Sequence, residues 1–349
     1  MDHRAEAWYR RRTSHWRDWP LGQLLANKQR DGTRISVVIP ARNEERTVAG
    51  VVAPLHRALV SEAPLVDELV VIDSDSTDAT ARVAAEAGAV VHRAGDISPG
   101  LGAYPGKGEA LWKSLLVTRG DVLAFVDADL TQWGPHFVTG LLGPLLGQPD
   151  VQLVKGFYAR VRTEADGSVS TEGGRVTELV ARPVLSLWWP HLAGVVQPLA
   201  GEWAARRSLI ESLSIPVGYG VELATLLDTA ARHGLDALGQ VDLGSRAHKH
   251  QANHDLAVMA AELLAVAARR RSGPYPPVPG LALEQYDRED GHVRRRTRPV
   301  PTDERPPAST VRRPAGAAPA AGTAQAASTA QAASTAPAAG RPELLHAAE

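Results

Sequence analysis

Short runs of apolar residues alternate with helix-length amphipathic segments from residue 35 onward. Four runs have strand length and few polar positions, at 35–39, 68–72, 89–91 and 122–126. Three segments with helical periodicity lie between them, at 45–59, around Val83 and at 107–117. Continuous apolar strands separated by helices are typical of an α/β fold, in which helices cover both faces of a mostly parallel sheet.

The second half of the chain is less regular. Further strands are predicted at 151–158 and 235–243, and helices at 175–187, 222–233 and 255–270. Residues 1–30 form a Trp- and Arg-rich extension that we expect to pack on the domain surface. Residues 308–349 are rich in Ala, Pro, Thr and Ser, and lack the bulky apolar residues that offset the entropy of ordering, so this tail is predicted to be disordered. The domain between them, 31–307, divides into a first half, 31–150, and a second half, 151–307.

Composition narrows the classes of function. The 349 residues include 38 Lys and Arg against 39 Asp and Glu, a balance that argues against non-specific nucleic-acid binding. The absence of cysteine leaves His and carboxylates as the side chains for a metal site. No apolar run reaches the roughly 18 residues of a membrane span, and residues 1–4 lack the apolar core of a signal peptide. We therefore expect a cytoplasmic protein without integral membrane association.

Polar residues follow three of the predicted strands, and the pair Asp127 and Asp129 is the strongest of these signals. Side chains alternate along a strand, so these carboxylates point the same way and Ala128 points away. Two carboxylates at a strand end can hold a hard divalent cation, and ligands collect at the carboxyl edge of such sheets. The alternative is a solvated turn or a helix N-cap.

Five other groups are weaker candidates, each with an ordinary structural explanation. Ser74 follows the second strand and could meet a base or ribose, or belong to a helix cap. Lys107, between two glycines at a helix start, favours a phosphate, although such turns are common. Glu222 begins another helix, where a carboxylate also suits the dipole. The helix start at Gly174, Arg175 and Thr177 could form an anion pocket or be an ordinary capped helix. The pair His248 and His250 could be metal ligands or belong to a solvated loop.

Three strings that end predicted strands occur in a fixed order: Val38-Ile-Pro-Ala-Arg-Asn-Glu44, Val71-Ile-Asp-Ser-Asp-Ser-Thr-Asp78 and Phe125-Val-Asp-Ala-Asp129. Their order resembles the nucleotide-binding half of family-2-like GT-A glycosyltransferases. A finer pattern, over about 35–270, is similar to the actinobacterial glucosyl-3-phosphoglycerate synthases. It is carried by Pro105-Gly-Lys-Gly-Glu-Ala-Leu-Trp112, Leu153-Val-Lys-Gly-Phe-Tyr158, Gly173-Gly-Arg-Val-Thr-Glu-Leu-Val-Ala-Arg-Pro183, Gln197-Pro-Leu-Ala-Gly-Glu202 and Gly218-Tyr-Gly-Val-Glu222.

The resemblance implies a GT-A fold, a Rossmann-like sheet with a helical C-terminal half that binds the acceptor. It implies a retaining, metal-dependent hexosyltransferase that moves glucose from UDP-glucose to the 2-hydroxyl of 3-phosphoglycerate, using Mg²⁺, with Mn²⁺ or Co²⁺ as substitutes, and acting as a homodimer. The implied nucleotide-sugar site consists of Pro40, Glu44, Ser74, Lys107, Asp127 and Ala128. The implied metal ligands are Asp129 and His248, and the implied acceptor residues are Gly174, Arg175, Thr177 and His250. Catalysis would depend on Lys107 and on Glu222, which we expect to position the sugar.

Three positions depart from the family pattern. Ala128 replaces a serine, which should spare the metal site because its side chain points away. His250 replaces an asparagine of the acceptor site, and imidazole can still donate a hydrogen bond to phosphate or carboxylate. Arg42 replaces an apolar residue near the uracil region. Two alternatives therefore accompany the predicted function: a related transferase with another nucleotide sugar or a glycerate-type acceptor, and a non-catalytic regulator that binds nucleotide sugars.

Overall fold

The apolar runs predicted from the sequence form neighbouring strands of one sheet. The computed structural model describes residues 2–163, 169–170, 174–247, 253–271, 281–289 and 292–311. Its strands are β1 Thr13–His15, β2 Ile35–Ala41, β3 Glu68–Asp73, β4 Val90–Arg93, β5 Val122–Phe125, β6 Leu153–Thr163, β7 Val169–Ser170, β8 Trp203–Arg206, β9 Ile215–Pro216, β10 Leu238–Ala247, β11 Ala282–Glu289, β12 His292–Pro299 and β13 Glu304–Arg305. The predicted strands of the first half are all present, with ends shifted by one or two residues.

Among the described residues, the main sheet has nine strands, in the order β1-β10-β6-β8-β5-β2-β3-β4, with β7 paired to β6. Along this order the strands pair in parallel, except that β8 runs antiparallel to both β5 and β6. The expectation of a mostly parallel sheet is confirmed. Since β5 pairs with β8, the sheet continues across the division that we placed at residue 150.

Helices cover both faces of this sheet. They are α1 His3–Arg12, α2 Leu21–Asp31, α3 Val48–Leu55, α4 Thr80–Glu86, α5 Lys107–Val117, α6 His136–Gly147, α7 Arg182–Trp188, α8 Arg207–Ile210, α9 Val221–His233 and α10 Asn253–Arg271. Short π-helical turns extend α3 over His56–Glu62 and precede α7 over Thr177–Ala181. Alternate residues of β2 enter different cores: Val38 packs with α5 and α9, whereas Val37 and Ile39 pack with α3 and α6. Burial on both faces explains why the strands are continuously apolar.

The N-terminal extension does more than lie on the surface. Trp8 is buried, and its indole N–H donates to the carbonyl oxygen of Leu238 at 3.0 Å. β1 then adds an edge strand beside β10. None of the helices in the described part of the chain is long and apolar enough to cross a bilayer.

The C-terminal segment forms an antiparallel hairpin, β11–β12, and then returns to the domain, where β13 pairs with β9. A single 3-10 turn, Ala308–Thr310, follows it, and Ala308 is buried in the same core as α5. These residues belong to the segment that we predicted as the start of the tail. Residues 312–349, the rest of that predicted tail, lie outside the described residues, so its predicted disorder stays a prediction.

Candidate active site

The carboxyl ends of β2, β3 and β5 meet at one edge of the sheet, as parallel pairing requires. Pro40 pairs with Ile72 in register, and the Ser74 backbone N–H donates to the Ala41 carbonyl oxygen at 2.9 Å. Glu44 follows β2, and its carboxylate accepts a hydrogen bond of 2.6 Å from the Thr47 hydroxyl. The structure thus brings the predicted uridine side, which includes Pro40, Glu44 and Ser74, to the edge where β5 ends.

Ala128 differs from its two neighbours in burial, although β5 ends at Phe125 and residues 128–129 form a turn, so the contrast does not come from strand alternation. The Ala128 side chain is buried in the core beneath α6. The side chains of Asp127 and Asp129 remain 25% and 31% exposed. An added methyl group on Gly201 would overlap the Asp127 carboxylate, so the absence of a side chain there makes room for this acid.

Charged side chains from six segments of the chain surround this edge and form what we call the donor-edge cluster. Its members are Lys107, Asp127, Asp129, Lys155, Glu202, Glu222 and Arg246. At its centre, the Lys107 ammonium lies 2.6 Å from Asp127 Oδ1 and 2.8 Å from Glu222 Oε1. The predicted phosphate-binding lysine and the predicted sugar-positioning acid are therefore direct partners, although they are far apart in sequence.

Arg246 connects the cluster to the metal-binding candidates. Its guanidinium donates to Glu202 Oε1 at 2.7 Å, to the Tyr158 hydroxyl at 2.9 Å and to Asp129 Oδ1 at 3.1 Å. The Tyr158 hydroxyl in turn donates to Glu202 Oε2 at 2.8 Å. No role was predicted from the sequence for Arg246, Glu202 or Tyr158, although Tyr158 and Glu202 end two of the motif strings and Arg246 lies two residues before His248. Their closure into one network depends on the pairing of β6 with β8 and β10.

Burial and neighbouring charges shift the pKa values of this cluster in opposite directions. Burial favours a neutral Asp127, but the charges of Lys107 and Arg246 outweigh it and lower the pKa of this carboxyl below its ordinary value. Burial raises the pKa of Glu202 despite the adjacent Arg246. Burial also lowers the pKa of Lys155 to about 8, and the ammonium of this lysine donates to the Ala200 carbonyl oxygen at 2.7 Å.

The donor set suits a hard divalent cation. Four carboxylates face three basic side chains in this cluster, and the two acids nearest solvent, Asp127 and Asp129, offer oxygen ligands at the open edge. Within the described ranges, no three His, Asp or Glu side chains already converge as a ligand set. A site completed by further ligands fits this arrangement. The predicted ligand His248 and the predicted acceptor residue His250 lie outside the described residues, so both stay predictions.

The predicted acceptor residues begin the helical segment that leads into α7. Thr177 is buried and Arg175 is exposed, and the π-helical turn that starts at Thr177 packs against α10. The Gly174 carbonyl oxygen accepts a hydrogen bond of 3.0 Å from the backbone N–H of Glu178, which fixes the start of this segment. Binding of an acceptor phosphate by Gly174, Arg175 and Thr177 remains a prediction.

Known proteins resemble this chain in sequence. Residues 36–182 match the family model described as Glycosyl transferase family 2. The glucosyl-3-phosphoglycerate synthase of Mycobacterium tuberculosis strain H37Rv is 44% identical over 306 residues, which cover 86% of this chain and 92% of that protein. The synthase of Petrotoga mobilis is 44% identical over 250 residues, 72% of this chain and 77% of that protein.

Solved structures agree with these relatives. A crystal structure of the Mycobacterium tuberculosis synthase in complex with Mn²⁺, UDP-glucose and phosphoglyceric acid has a TM-score of 0.76 at 43% identity, covering 86% of this chain and 99% of that chain. The same enzyme in complex with Mg²⁺ and UDP has a TM-score of 0.77 at 43% identity, with the same coverage. The predicted GT-A fold is thus confirmed, and the chain belongs to the glucosyl-3-phosphoglycerate synthase family.

Proposed function

We propose that this protein transfers glucose from UDP-glucose to the 2-hydroxyl of 3-phosphoglycerate, giving glucosyl-3-phosphoglycerate with retention at the anomeric carbon. The observation that carries the proposal is the position of Lys107 between Asp127 and Glu222, at 2.6 and 2.8 Å. It places a cation and a buried carboxylate together at the sheet edge where nucleotides bind in such folds. Relatives with this activity, at 44% identity over most of the chain, support the same conclusion.

Lys107 is suited to the departing diphosphate. Burial opposes its charge, but Asp127 and Glu222 outweigh this effect and raise the pKa of the lysine above its ordinary value. Its ammonium is therefore a fixed positive charge at neutral pH, and it lies at the N-terminus of α5, where the helix dipole also favours phosphate oxygens. A preorganised cation of this kind stabilises negative charge that develops on the leaving group.

Glu222 is suited to a positioning role. It is buried in the first turn of α9, and its ion pair with Lys107 holds the carboxylate in one place. Retention of configuration requires either a carboxylate nucleophile or attack on the same face, assisted by the leaving phosphate. A carboxylate already paired with Lys107 fits orientation of the donor sugar and the acceptor hydroxyl better than covalent attack.

A divalent cation belongs to the proposal, with Asp129 and His248 as its protein ligands. When bound, Mg²⁺ or Mn²⁺ supplies Lewis acidity that neutralises charge on the diphosphate. Gly174, Arg175, Thr177 and His250 are the proposed acceptor residues. A homodimer and a cytoplasmic location are also part of the proposal, on the resemblance to the family.

The test is a transfer assay on the purified protein with a panel of nucleotide sugars, each with 3-phosphoglycerate or glycerate, with Mg²⁺ or with a chelator. We expect metal-dependent formation of glucosyl-3-phosphoglycerate from UDP-glucose, detected by mass spectrometry, with the α-anomer identified by NMR. Turnover only with another donor or with glycerate would replace the proposed substrates. Metal-dependent UDP binding without any transfer would point to the regulatory alternative.

A further inference from the structure

A buried arginine near the end of the described chain, Arg305, joins segments that are distant in sequence. Its guanidinium makes a two-pronged ion pair with the Glu109 carboxylate of α5, at 2.7 and 2.6 Å. It also donates to the carbonyl oxygens of Leu101 at 2.8 Å and Gly102 at 3.1 Å. The side chains of Arg305 and Glu109 are 8% and 1% exposed, so the pair is almost fully enclosed.

The surroundings of Arg305 are specific for a guanidinium group. Its planar head lies 4.6 Å from the ring centre of Tyr104 and 4.8 Å from that of Trp112. Lys113, one turn further along α5, donates to the Gly102 carbonyl oxygen at 3.0 Å and to the Ile97 carbonyl oxygen. We call Glu109, Lys113 and Arg305 the C-terminal brace. It fixes the loop that leads into Lys107.

The backbone of the same segment supports the loop before Glu222. In the two-stranded sheet, Arg305 pairs with Ile215, and the Val217 backbone N–H donates to the Asp303 carbonyl oxygen at 3.1 Å. This loop then accepts hydrogen bonds from the start of α5, where the Glu109 backbone N–H donates to the Val217 carbonyl oxygen at 2.9 Å. Arg305 therefore contacts both the loop that precedes Lys107 and the strand that precedes the loop to Glu222.

The contact between these two backbones leaves no room for side chains. The Gly108 backbone N–H donates to the Gly218 carbonyl oxygen at 3.1 Å, and a methyl group on Gly108 would overlap the Pro216 carbonyl oxygen. Gly106 has φ of +136°, a conformation that L side chains rarely adopt, and faces the Val217 carbonyl oxygen. Lys107 thus begins its helix pressed against the loop that ends at Glu222.

We propose that Arg305 is a positioning residue for the Lys107–Glu222 pair, an inference that rests on the proposed function. By binding Glu109 and pairing with Ile215 it holds the start of α5 and the loop before α9 at the separation that the ion pair needs. Catalytic groups tolerate little displacement, since an error of about 1 Å can cost on the order of 100-fold in rate. The C-terminal segment would then contribute to catalysis without touching substrate.

Arg207 offers a matched control, because it performs a similar task at the other end of α5. It donates to the Leu115 carbonyl oxygen at 3.3 Å, to the Thr118 hydroxyl at 2.9 Å and to the Gly120 carbonyl oxygen, and it pairs with Glu211 at 3.0 Å. Loss of either arginine removes a largely buried cation that contacts one end of α5. Only Arg305 lies at the end that carries Lys107.

The experiment compares Arg305→Met with Arg207→Met in the full chain, well below both melting temperatures. Both variants should melt at lower temperature than the original protein. For Arg305→Met we expect kcat to fall on the order of 10- to 100-fold with the KM for UDP-glucose changed less than about threefold, the pattern of an interaction used in the transition state. Arg207→Met should lose less than about threefold in kcat. Equal kcat losses in the two variants, or none in Arg305→Met, would overturn the proposal.

Two further measurements keep the test decisive. If Arg305→Met does not fold, Arg305→Lys keeps the charge but loses the two-pronged geometry, and should still lower kcat more than Arg207→Lys. Amide hydrogen exchange at residues 106–109 and 217–222 measures how often the hydrogen bonds between these two backbones open, and it needs no turnover. Exchange there should accelerate in the Arg305 variant and not in the Arg207 variant, and equal exchange would contradict the proposal. If the original protein is inactive but exchange accelerates only in the Arg305 variant, the proposed function is refuted and the positioning role of Arg305 is supported.

Discussion

Two charged clusters share the first turn of α5, which supplies Lys107 to one and Glu109 to the other, and they differ in charge balance and in exposure. The donor-edge cluster sets four carboxylates against three basic groups, and Asp127 and Asp129 at its open side are 25% and 31% exposed. The C-terminal brace has one carboxylate, Glu109, and two basic groups that carbonyl oxygens satisfy, and it is closed to solvent. The donor-edge cluster can therefore bind an added cation and anion, whereas the charges of the C-terminal brace are already satisfied by protein groups.

This difference separates binding from positioning. A buried charge is tolerated when it is paired and hydrogen-bonded, and the brace meets this condition from the protein alone. The donor-edge cluster meets it partly through Arg246, which lies against Asp129, a predicted metal ligand. Substitutions in the donor-edge cluster should therefore change how activity and stability depend on metal and nucleotide. Substitutions in the C-terminal brace should change the relative position of Lys107 and Glu222.

The largest effect is expected for Asp129→Ala, which removes a predicted metal ligand from the open cluster. Loss of one preorganised electrostatic group costs about 10²–10³ in kcat, and we expect a loss of at least this size together with loss of the Mg²⁺ response in a steady-state transfer assay. Asp67→Ala is the control. Its side chain is 30% exposed and pairs with Lys28, but it precedes β3 and lies at the opposite edge of the sheet. A variant of Asp129 that still responds to Mg²⁺ would contradict the metal assignment.

The next effect concerns Arg246→Met, which leaves Glu202 buried without its cation. Breaking a buried ion pair from one side costs about 3–5 kcal/mol, measurable by chemical denaturation. If the cluster is open to cations, Mg²⁺ with UDP should raise the melting temperature of this variant more than that of the original protein, because the metal replaces part of the lost charge. Arg305→Met should show no such extra recovery. Equal recovery in both variants would erase the distinction between the clusters.

The smallest effect concerns Glu262 of α10, which contacts the loop before Glu222. Its carboxylate accepts a hydrogen bond of 2.6 Å from the Tyr219 backbone N–H, and burial raises the pKa of Glu262 from 4.5 to about 7. Because the pKa of Glu262 is higher in the folded state than in the unfolded state, its contribution to folding stability is complete below about pH 4.5. This contribution is lost as the pH rises through about 7.

Glu262→Gln stays neutral and keeps an acceptor oxygen for Tyr219. It should therefore melt about 2–4 °C above the original protein at pH 8, corresponding to about 1 kcal/mol, and the gap should close at pH 5. Thermal melts across this pH range test the expectation, with Glu86→Gln, an exposed position on α4, as control. An unchanged gap across the range would show that the carboxyl of Glu262 does not titrate there.

Local pattern was enough for much of the fold. The apolar, β-branched runs at β2, β3 and β5 predicted strands buried on both faces, and α5 matches its prediction from Lys107 to Val117. The pair Asp127 and Asp129 was readable because it directly follows an apolar strand, but β5 ends at Phe125 and residues 128–129 form a turn, so the alternation that we expected along a strand does not apply to these residues. The association of Lys107 with the same site came from the order of motifs.

Other features depended on which strands became neighbours. β8 is only four residues long and contains Ala204 and Ala205, too small to mark a strand by pattern, yet it separates β5 from β6 and places Glu202 in the site. The N-terminal segment, expected to pack on the surface, supplies an edge strand because it pairs with β10. Neither result follows from the periodicity of the segment itself.

The sequence by itself determined the α/β class, the strand-end carboxylates and, through its ordered motifs, the family. Only the tertiary structure decided which charges meet: Lys107 with Glu222, Arg246 with Glu202, and Arg305 with Glu109. The physical reason is that periodicity and turn chemistry act over a few neighbouring residues. An ion pair between distant residues exists only after the sheet order and helix packing have brought its partners together and removed the water between them.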